Sequence, residues 1–472
     1  MGDEIKHTHF SDEAFEEFRN RVDLETALLQ QWVSDGLLTC EAPSAGAELE
    51  AWLVDRVGAP TANNVNFLEA LDHELVVPEL AKFNVEMNTQ PLSIGPGFLE
   101  TMHDNMWSLW QQCEETAVAM DNHLVMIGIL PTVQQTDLRL AYLSEMKRYR
   151  ALDEQIFRMR NGDPLFLDIE GHHHLSVYHH DVMLEAAATS FQAHYKVDIN
   201  NAVRAYNASR VLSGPIVALA ANSPYLFGHC LWDETRIPLF EQAVSVGGSD
   251  YSKRVTFGLR HAQQSIMECF EANRRRYPTL LPELMDTPPE KLAHLRMHNG
   301  TVWRWNRPLV GFEEDGTPHI RIEHRVIPAG PTMQDVLANA AFYFGALTAL
   351  LDEPTPIEDE IRNRDAAKNF YECAKHGLRA QVTWRNQAVG DVRCLILDQL
   401  IPLARKGLLS IGYAAADADH WMEIIRGRVD SCQNGAWWQR HWVERYGRDF
   451  NCLVRAYQER QAQNIPVHRW PL

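Results

Sequence analysis

Glutamates, a glutamine, a histidine and an arginine recur along this chain at a spacing of two, which places side chains on one face of a strand. Glu48 and Glu50 lie in GAELEAWLVD, Glu86 in FNVEMNTQP, Gln192 and His194 in ATSFQAHYKVD, and Glu323 and Arg325 in HIRIEHRVIPAGPT. Two carboxylates about 6 Å apart repel by roughly 2 to 3 kcal/mol at an effective dielectric of about 20, so the face bearing Glu48 and Glu50 needs water or a cation beside it. Carboxylate oxygens with an occasional imidazole suit Mg2+ or Mn2+, which keep positions open for phosphate oxygens. An arginine alongside Glu323 could grip a phosphoryl group through two parallel hydrogen bonds. Each segment taken alone is more simply an antiparallel strand with one wetted face. Taken together, faces so rich in glutamate favour a metal and phosphate site.

These faces require strands, and the surrounding sequence supplies them with helices between. The apolar spacing over residues 11 to 34 predicts an amino-terminal helix with Ser11 and Asp12 as caps. A second helix is expected from about Phe98 to Asn122, a buried strand at LVMIGILP, and a further helix in LAYLSEMKRYRALDEQIFRMR. Helical sequence after Val197 is expected to break at Pro215 and to stop at Pro224. Thr332 and Asp335 form a capping pattern ahead of the buried helix containing AAFYFGALTALL. LDEPTPIEDE reads as a linker, and the chain beyond Ile361 as helical. The expected division is an amino-terminal helical segment over 1–42, a catalytic domain over 43–352 and a helical region over 353–472.

Composition narrows the class. The chain has 472 residues, 45% hydrophobic and 23% charged, which is the profile of a globular protein with a sizeable core. A net charge of −19, from 44 basic and 63 acidic residues, works against a nucleic-acid surface or an anionic membrane. Eight scattered cysteines without a short-spaced pair fit a reduced cytoplasm. The start, MGDEIKHTHF, lacks the apolar core of a signal peptide, and the longest apolar run is too short for a bilayer. GHHHLSVYHH, with His172, His173, His174, His179 and His180, reads as a polar segment rather than a metal site. TVWRWNRP interleaves Trp303 and Trp305 with Arg304 and Arg307; such a segment could line a substrate pocket or cap the core by cation-π contact. Trp303, Arg304 and Asn306 are its candidates for binding substrate.

Five segments in order resemble the type 2 glutamate-cysteine ligases, carboxylate-amine ligases of the glutamine synthetase superfamily. GAELE resembles that family's Gly-x-Glu-x-Glu strand, VEMNTQP its second acidic strand, FQAHYKV the strand with Gln or His ligands, ALAANSPYLFG its Asn-Ser-Pro-aromatic segment, and RIEHRV its Glu-x-Arg strand. The late helix AAKNFYECAKHGLRAQV is similar as well. The resemblance implies an α+β fold: a curved antiparallel sheet lining the active site, helices packed behind it, and here a helical carboxy-terminal extension. It implies that Glu48, Glu50, Glu86 and Glu323 bind Mg2+ (or Mn2+), with Gln192 or His194 completing the set and also meeting the nucleotide. Arg325 corresponds to the arginine on the transferred phosphate, and Arg236 in WDETRIPLF to one that binds the carboxylate of the acid. The implied partners are small molecules: ATP, glutamate or a related amino acid, and an amine. The implied reaction is γ-glutamyl amide formation through an acyl phosphate. Rival readings are a ligase joining another carboxylate or amine, a metal-dependent amidohydrolase, and a non-catalytic nucleotide sensor. Homo-oligomerisation is left open.

Overall fold

A computed structural model describes residues 4–38, 42–247, 253–385 and 388–472. The alternating segments become strands β1 (Ser44–Val54), β2 (Val76–Pro78), β3 (Asn84–Asn88), β4 (Leu92–Ser93) and β5 (His123–Val125). A separate hairpin, β6 (Leu165–Glu170) and β7 (His174–His179), contains much of the histidine-rich segment. Three longer strands follow: β8 (Ser190–Val197), β9 (Asn306–Phe312) and β10 (Pro318–Pro328). The main sheet runs β9-β10-β8-β1-β3-β2, with β4 and β5 also paired to β1, and every pairing is antiparallel.

Register brings the polar residues together. Glu48 lies opposite Gln192, Glu50 opposite Glu86, and Glu323 opposite both His194 and Arg307. Directly opposed residues share a face, so seven polar side chains from five strands converge without any loop to carry them. The reverse face, apolar apart from His324 and Asn306, packs on helices, and further helices stand beside the polar face.

Among these are α1 (Asp12–Ser34), α2 (Phe98–Ala119), α3 (Lys147–Met159), α4 (Ala202–Ala220), α5 (Ala293–Gly300), α6 (Met333–Asp352), α7 (Ile401–Ser410), α8 (Ala415–Ser431) and α9 (Phe450–Gln461). The caps expected for α1 and α6 form: Ser11 accepts from the Ala14 N–H and Thr332 from the Asp335 N–H. α4 and α6 are buried almost along their whole length behind the sheet. His324 stacks on Tyr343 with ring centres 4.2 Å apart, and Tyr195 meets Phe344 at 6.4 Å. The helical carboxy-terminal region closes over this layer. α7 crosses α6 so tightly that a Cβ on Gly407 would fall 1.8 Å from the Gly345 carbonyl oxygen, so only glycine fits there.

Three local expectations fail. α4 continues through Pro215, because burial on all sides outweighs the roughly 3 kcal/mol that an interior proline costs. LVMIGILP is buried, yet only its first two residues pair with β1, because β8 already occupies the next stretch of that strand's edge. There α9 supplies the missing hydrogen bonds: the Gln461 side chain accepts from the Met126 N–H at 3.2 Å and donates to the Met126 carbonyl at 2.9 Å. LDEPTPIEDE is no open linker. α6 ends inside it, a short helix begins at Ile357, which is 1% exposed, and Arg204 donates to the Glu353 carbonyl at 2.6 Å. Cys40 lies outside the described residues.

Candidate active site

The polar face of the sheet forms the floor of a cavity of about 240 Å3. α3 and α5 flank it, and Glu48, Glu50, Glu86, Gln192, Glu323 and Arg325 line it together with Trp303. On this face one ligand atom each from Glu48, His194 and Glu323 lie within 4.8 Å of one another, although His194 itself is not among the residues that line the cavity. His194 Nε2 stands 3.2 Å from Glu48 Oε1, and Arg321 Nε donates to His194 Nδ1 at 3.3 Å.

Two arginines hold Glu323. Arg307 makes a two-pronged contact, with Nη2 at 3.1 Å from Oε1 and Nε on Oε2, and Arg325 Nη1 lies 3.2 Å from Oε2. The same Arg325 nitrogen donates to Gln192 Oε1 at 2.7 Å, while Gln192 Nε2 donates to Glu50 Oε1 at 3.0 Å. Gln192 therefore links the arginine to the second glutamate of β1. Glu50 also accepts from the Ser190 N–H at 2.6 Å and the Ser190 hydroxyl at 3.0 Å.

Burial would push every one of these carboxyls up, and their neighbours decide the outcome. Glu48 is held at about 2, because His194 outweighs burial. Glu323 lies well below the usual range, because Arg307 and Arg325 do the same for it. At the other end burial wins. Glu50 rises to about 7 through burial and then Glu86, and Glu185 to about 7 through burial and then Glu50. Glu79 rises well above its ordinary value through burial and the carboxylates of Glu86, Glu50 and Glu185, and Glu86 rises through burial and Glu48. The cavity is thus polarised, with Arg307, Arg321 and Arg325 on β9 and β10 and surplus carboxyls toward β2 and β3.

This donor set fits hard divalent cations. A carboxylate–imidazole–carboxylate trio is of the right chemistry for Mg2+ or Mn2+, and cation charge would relieve the crowding that raises Glu50 and Glu86.

The other expected site residues lie elsewhere. Arg236 does not line the cavity: it is 2% exposed, and its Nε pairs with Glu234 Oε1 at 3.0 Å. Its Nη atoms donate to the carbonyls of Arg325 and Val326, and its guanidinium lies over the Trp305 ring. A guanidinium so committed supports the backbone of β10. Arg304 is buried over Tyr277, and Asn306 is bound to Ser213 at 2.9 Å and to His324 at 2.6 Å. Glu79, Glu185 and Tyr149 do line the cavity although no pattern singled them out. Arg307 and Arg321 line it too; Arg321 shares a strand face with Glu323 at a spacing of two, whereas Arg307 comes opposite Glu323 only through strand register.

Solved structures of similar fold include the glutamate-cysteine ligase of Francisella tularensis in complex with AMP, at TM-score 0.58 and 12% identity over 92% of this chain and 90% of that one. The bifunctional glutathione synthetase of Pasteurella multocida aligns at TM-score 0.57 and 10% identity, covering 93% of this chain and 55% of that one, so this chain spans about half of its length. No curated protein sequence matches the chain significantly. Together the α+β fold and the family profile define the protein as a carbon-nitrogen ligase of the carboxylate-amine class. It belongs to glutamate-cysteine ligase family 2 (GCS2), whose profile matches residues 44–464. Among the described residues no helix is long and apolar enough to cross a membrane.

Proposed function

We propose that the protein joins the side-chain carboxylate of glutamate, or of a closely related acid, to an amine in an ATP-driven reaction through an acyl phosphate. The observation that carries this reading is the convergence of Glu48, His194 and Glu323 to within 4.8 Å beside Arg325. Glu48, His194 and Glu323 would hold one Mg2+ or Mn2+, and Glu50 and Glu86 a second. Such ions supply charge neutralisation and a grip on the nucleotide phosphates.

The chain's own residues do the rest. Arg325 is fixed by Glu323 and Gln192 and directs its remaining donors at the phosphoryl group as it passes from ATP to the acid's carboxylate oxygen. Arg307 and Arg321 extend the positive wall along the same two strands. ADP leaves, the amine attacks the acyl carbon of the mixed anhydride, and phosphate departs. We assign residues 43–352 to the catalytic unit and 353–472 to a helical region docked on it, and place the protein in the cytoplasm, where its cysteines stay reduced.

Hydroxylamine, a small nucleophile that captures acyl phosphates, tests the reading. A hydroxamate should form only when ATP, Mg2+ and the acid are all present. Hydrolysis of a γ-glutamyl amide without ATP would instead favour a metal-dependent amidohydrolase.

A further inference from the structure

Residues 4–10 precede α1 and lie outside the stretch that matches the family, yet they build part of the cavity. The Glu4 carboxylate accepts from the backbone N–H groups of Lys147 and Arg148 at 3.2 and 3.1 Å. These are the first two residues of α3, which has no side-chain cap of its own at Met146. Lys147 Nζ donates to the Lys6 carbonyl at 3.1 Å. The His7 N–H donates to Glu283 Oε2 at 3.1 Å, and its ring Nδ1 lies 3.0 Å from Oε1. Between these anchors Ile5 is only 3% exposed, packs with Ala151 and Leu281, and faces the cavity.

The same amino-terminal segment reaches the opposite wall. On α1, Glu25 Oε1 lies 2.6 Å from His294 Nδ1, and Oε2 accepts from the Leu295 N–H at 2.7 Å. Both residues belong to α5, which contributes Arg296, Met297, Asn299 and Gly300 to the cavity. Residues 4–34 therefore clasp both helices that rise beside the polar face. Ile5 sits where that clasp crosses on the α3 side.

Charge says which substrate lies beneath it. Phosphates and the acid belong with the arginines of β9 and β10, whereas the α3 side sets a single arginine, Arg148, against Glu79, Glu185 and Tyr149, and a group that arrives as an ammonium would draw those carboxyls into their charged form. Space is short: 240 Å3 is less than the ~300–1,000 Å3 of pockets that enclose drug-sized ligands. Resting on the ligase reading above, we propose that Ile5 is a specificity-determining residue that roofs the acceptor end of the cavity and limits the size of the amine.

The test is acceptor selectivity in Ile5→Ala and Ile5→Phe, measured with a graded series of primary amines and α-amino acids at saturating ATP and glutamate. Ile5→Ala should raise kcat/KM for the largest acceptor relative to the smallest at least tenfold, and Ile5→Phe should lower that ratio by a similar factor. Glu4→Ala loosens the anchor without touching the cavity and should shift the ratio in the same direction as Ile5→Ala. A residue that merely packs would alter turnover or stability alike for all acceptors, so ratios within twofold of the wild type in all three variants would overturn the proposal. A wild type that releases no acid-dependent ADP with hydroxylamine would sink the ligase reading and this proposal with it. An active wild type with unchanged ratios would sink this proposal alone.

Discussion

Arg325 and Glu323, two residues apart on β10, touch within the cavity: Arg325 Nη1 lies 3.2 Å from Glu323 Oε2 and donates from the same nitrogen to Gln192. One end of the guanidinium is thereby fixed by the sheet, and the ligase reading assigns the other to substrate. Arg325→Lys keeps the charge but loses the planar fork. Turnover should fall by one to two orders of magnitude, on the order of 2 kcal/mol for a charged hydrogen bond made to the moving phosphoryl group, while the KM for the acid stays within about threefold. Steady-state kinetics in both substrates would show the split, and a rise in the KM for the acid with turnover unchanged would contradict it.

Glu323 faces Arg307, Arg325 and His194 at once. Glu323→Gln removes a proposed cation ligand and leaves two buried guanidinium groups without their shared carboxylate. Mg2+ affinity should drop at least as far as the roughly 10- to 100-fold seen when an outer partner of a metal ligand is lost. Calorimetric titration of Mg2+ with a non-hydrolysable nucleotide present measures this, and an unchanged affinity would remove Glu323 from the ligand set.

Arg236 should behave as a structural residue. Its pairing with Glu234 and its bonds to the backbone of β10 are buried, and taking away one partner of such a pair typically costs about 3 to 5 kcal/mol. Arg236→Ala should therefore lower the denaturation midpoint sharply. A stable variant with a raised KM for the acid would restore the role that the family resemblance suggested.

The pH dependence of metal stabilisation follows from Glu50 and Glu185, each raised to about 7 in the folded chain against an ordinary 4.5. Between those values the folded protein binds the extra protons, so the stability they contribute is complete below about 4.5 and is lost as pH rises through about 7. Buried histidines such as His324, lowered to about 3 by burial, oppose this trend, because their stability is lost as pH falls from 6.5 toward 3. The informative quantity is thus the rise in Tm on adding Mg2+. It should be larger at pH 8 than at pH 5.5, and Glu50→Gln should shrink the difference. An increment independent of pH would argue against cation binding at Glu50.

The period of two made much of the site legible in the sequence. Glu48, Glu50, Gln192, His194, Glu323 and Arg325 all project from strands, where spacing alone assigns a face. Arg307 was harder to read, because NRPLVGF contains a proline and a glycine that blur its alternation, and only its register opposite Glu323 gives it a role. Glu79 follows a three-residue strand and Glu185 lies in a 3-10 turn, so neither has a periodic signature. Arg236 misled because an arginine's burial depends on a partner, here Glu234, in an irregular segment. Ile5 reaches the cavity through Glu4 capping a helix more than 140 residues away, a long-range contact with no local pattern.

The central claim is that the acid's own carboxylate oxygen attacks the γ-phosphorus of ATP. It is tested most directly with glutamate carrying 18O in its side-chain carboxylate, by mass analysis of the phosphate released during ligation to an accepted amine. An acyl phosphate transfers one labelled oxygen to each phosphate formed, and that is the expected result. Phosphate free of label, with the departing labelled oxygen found in AMP or in water instead, would contradict the account.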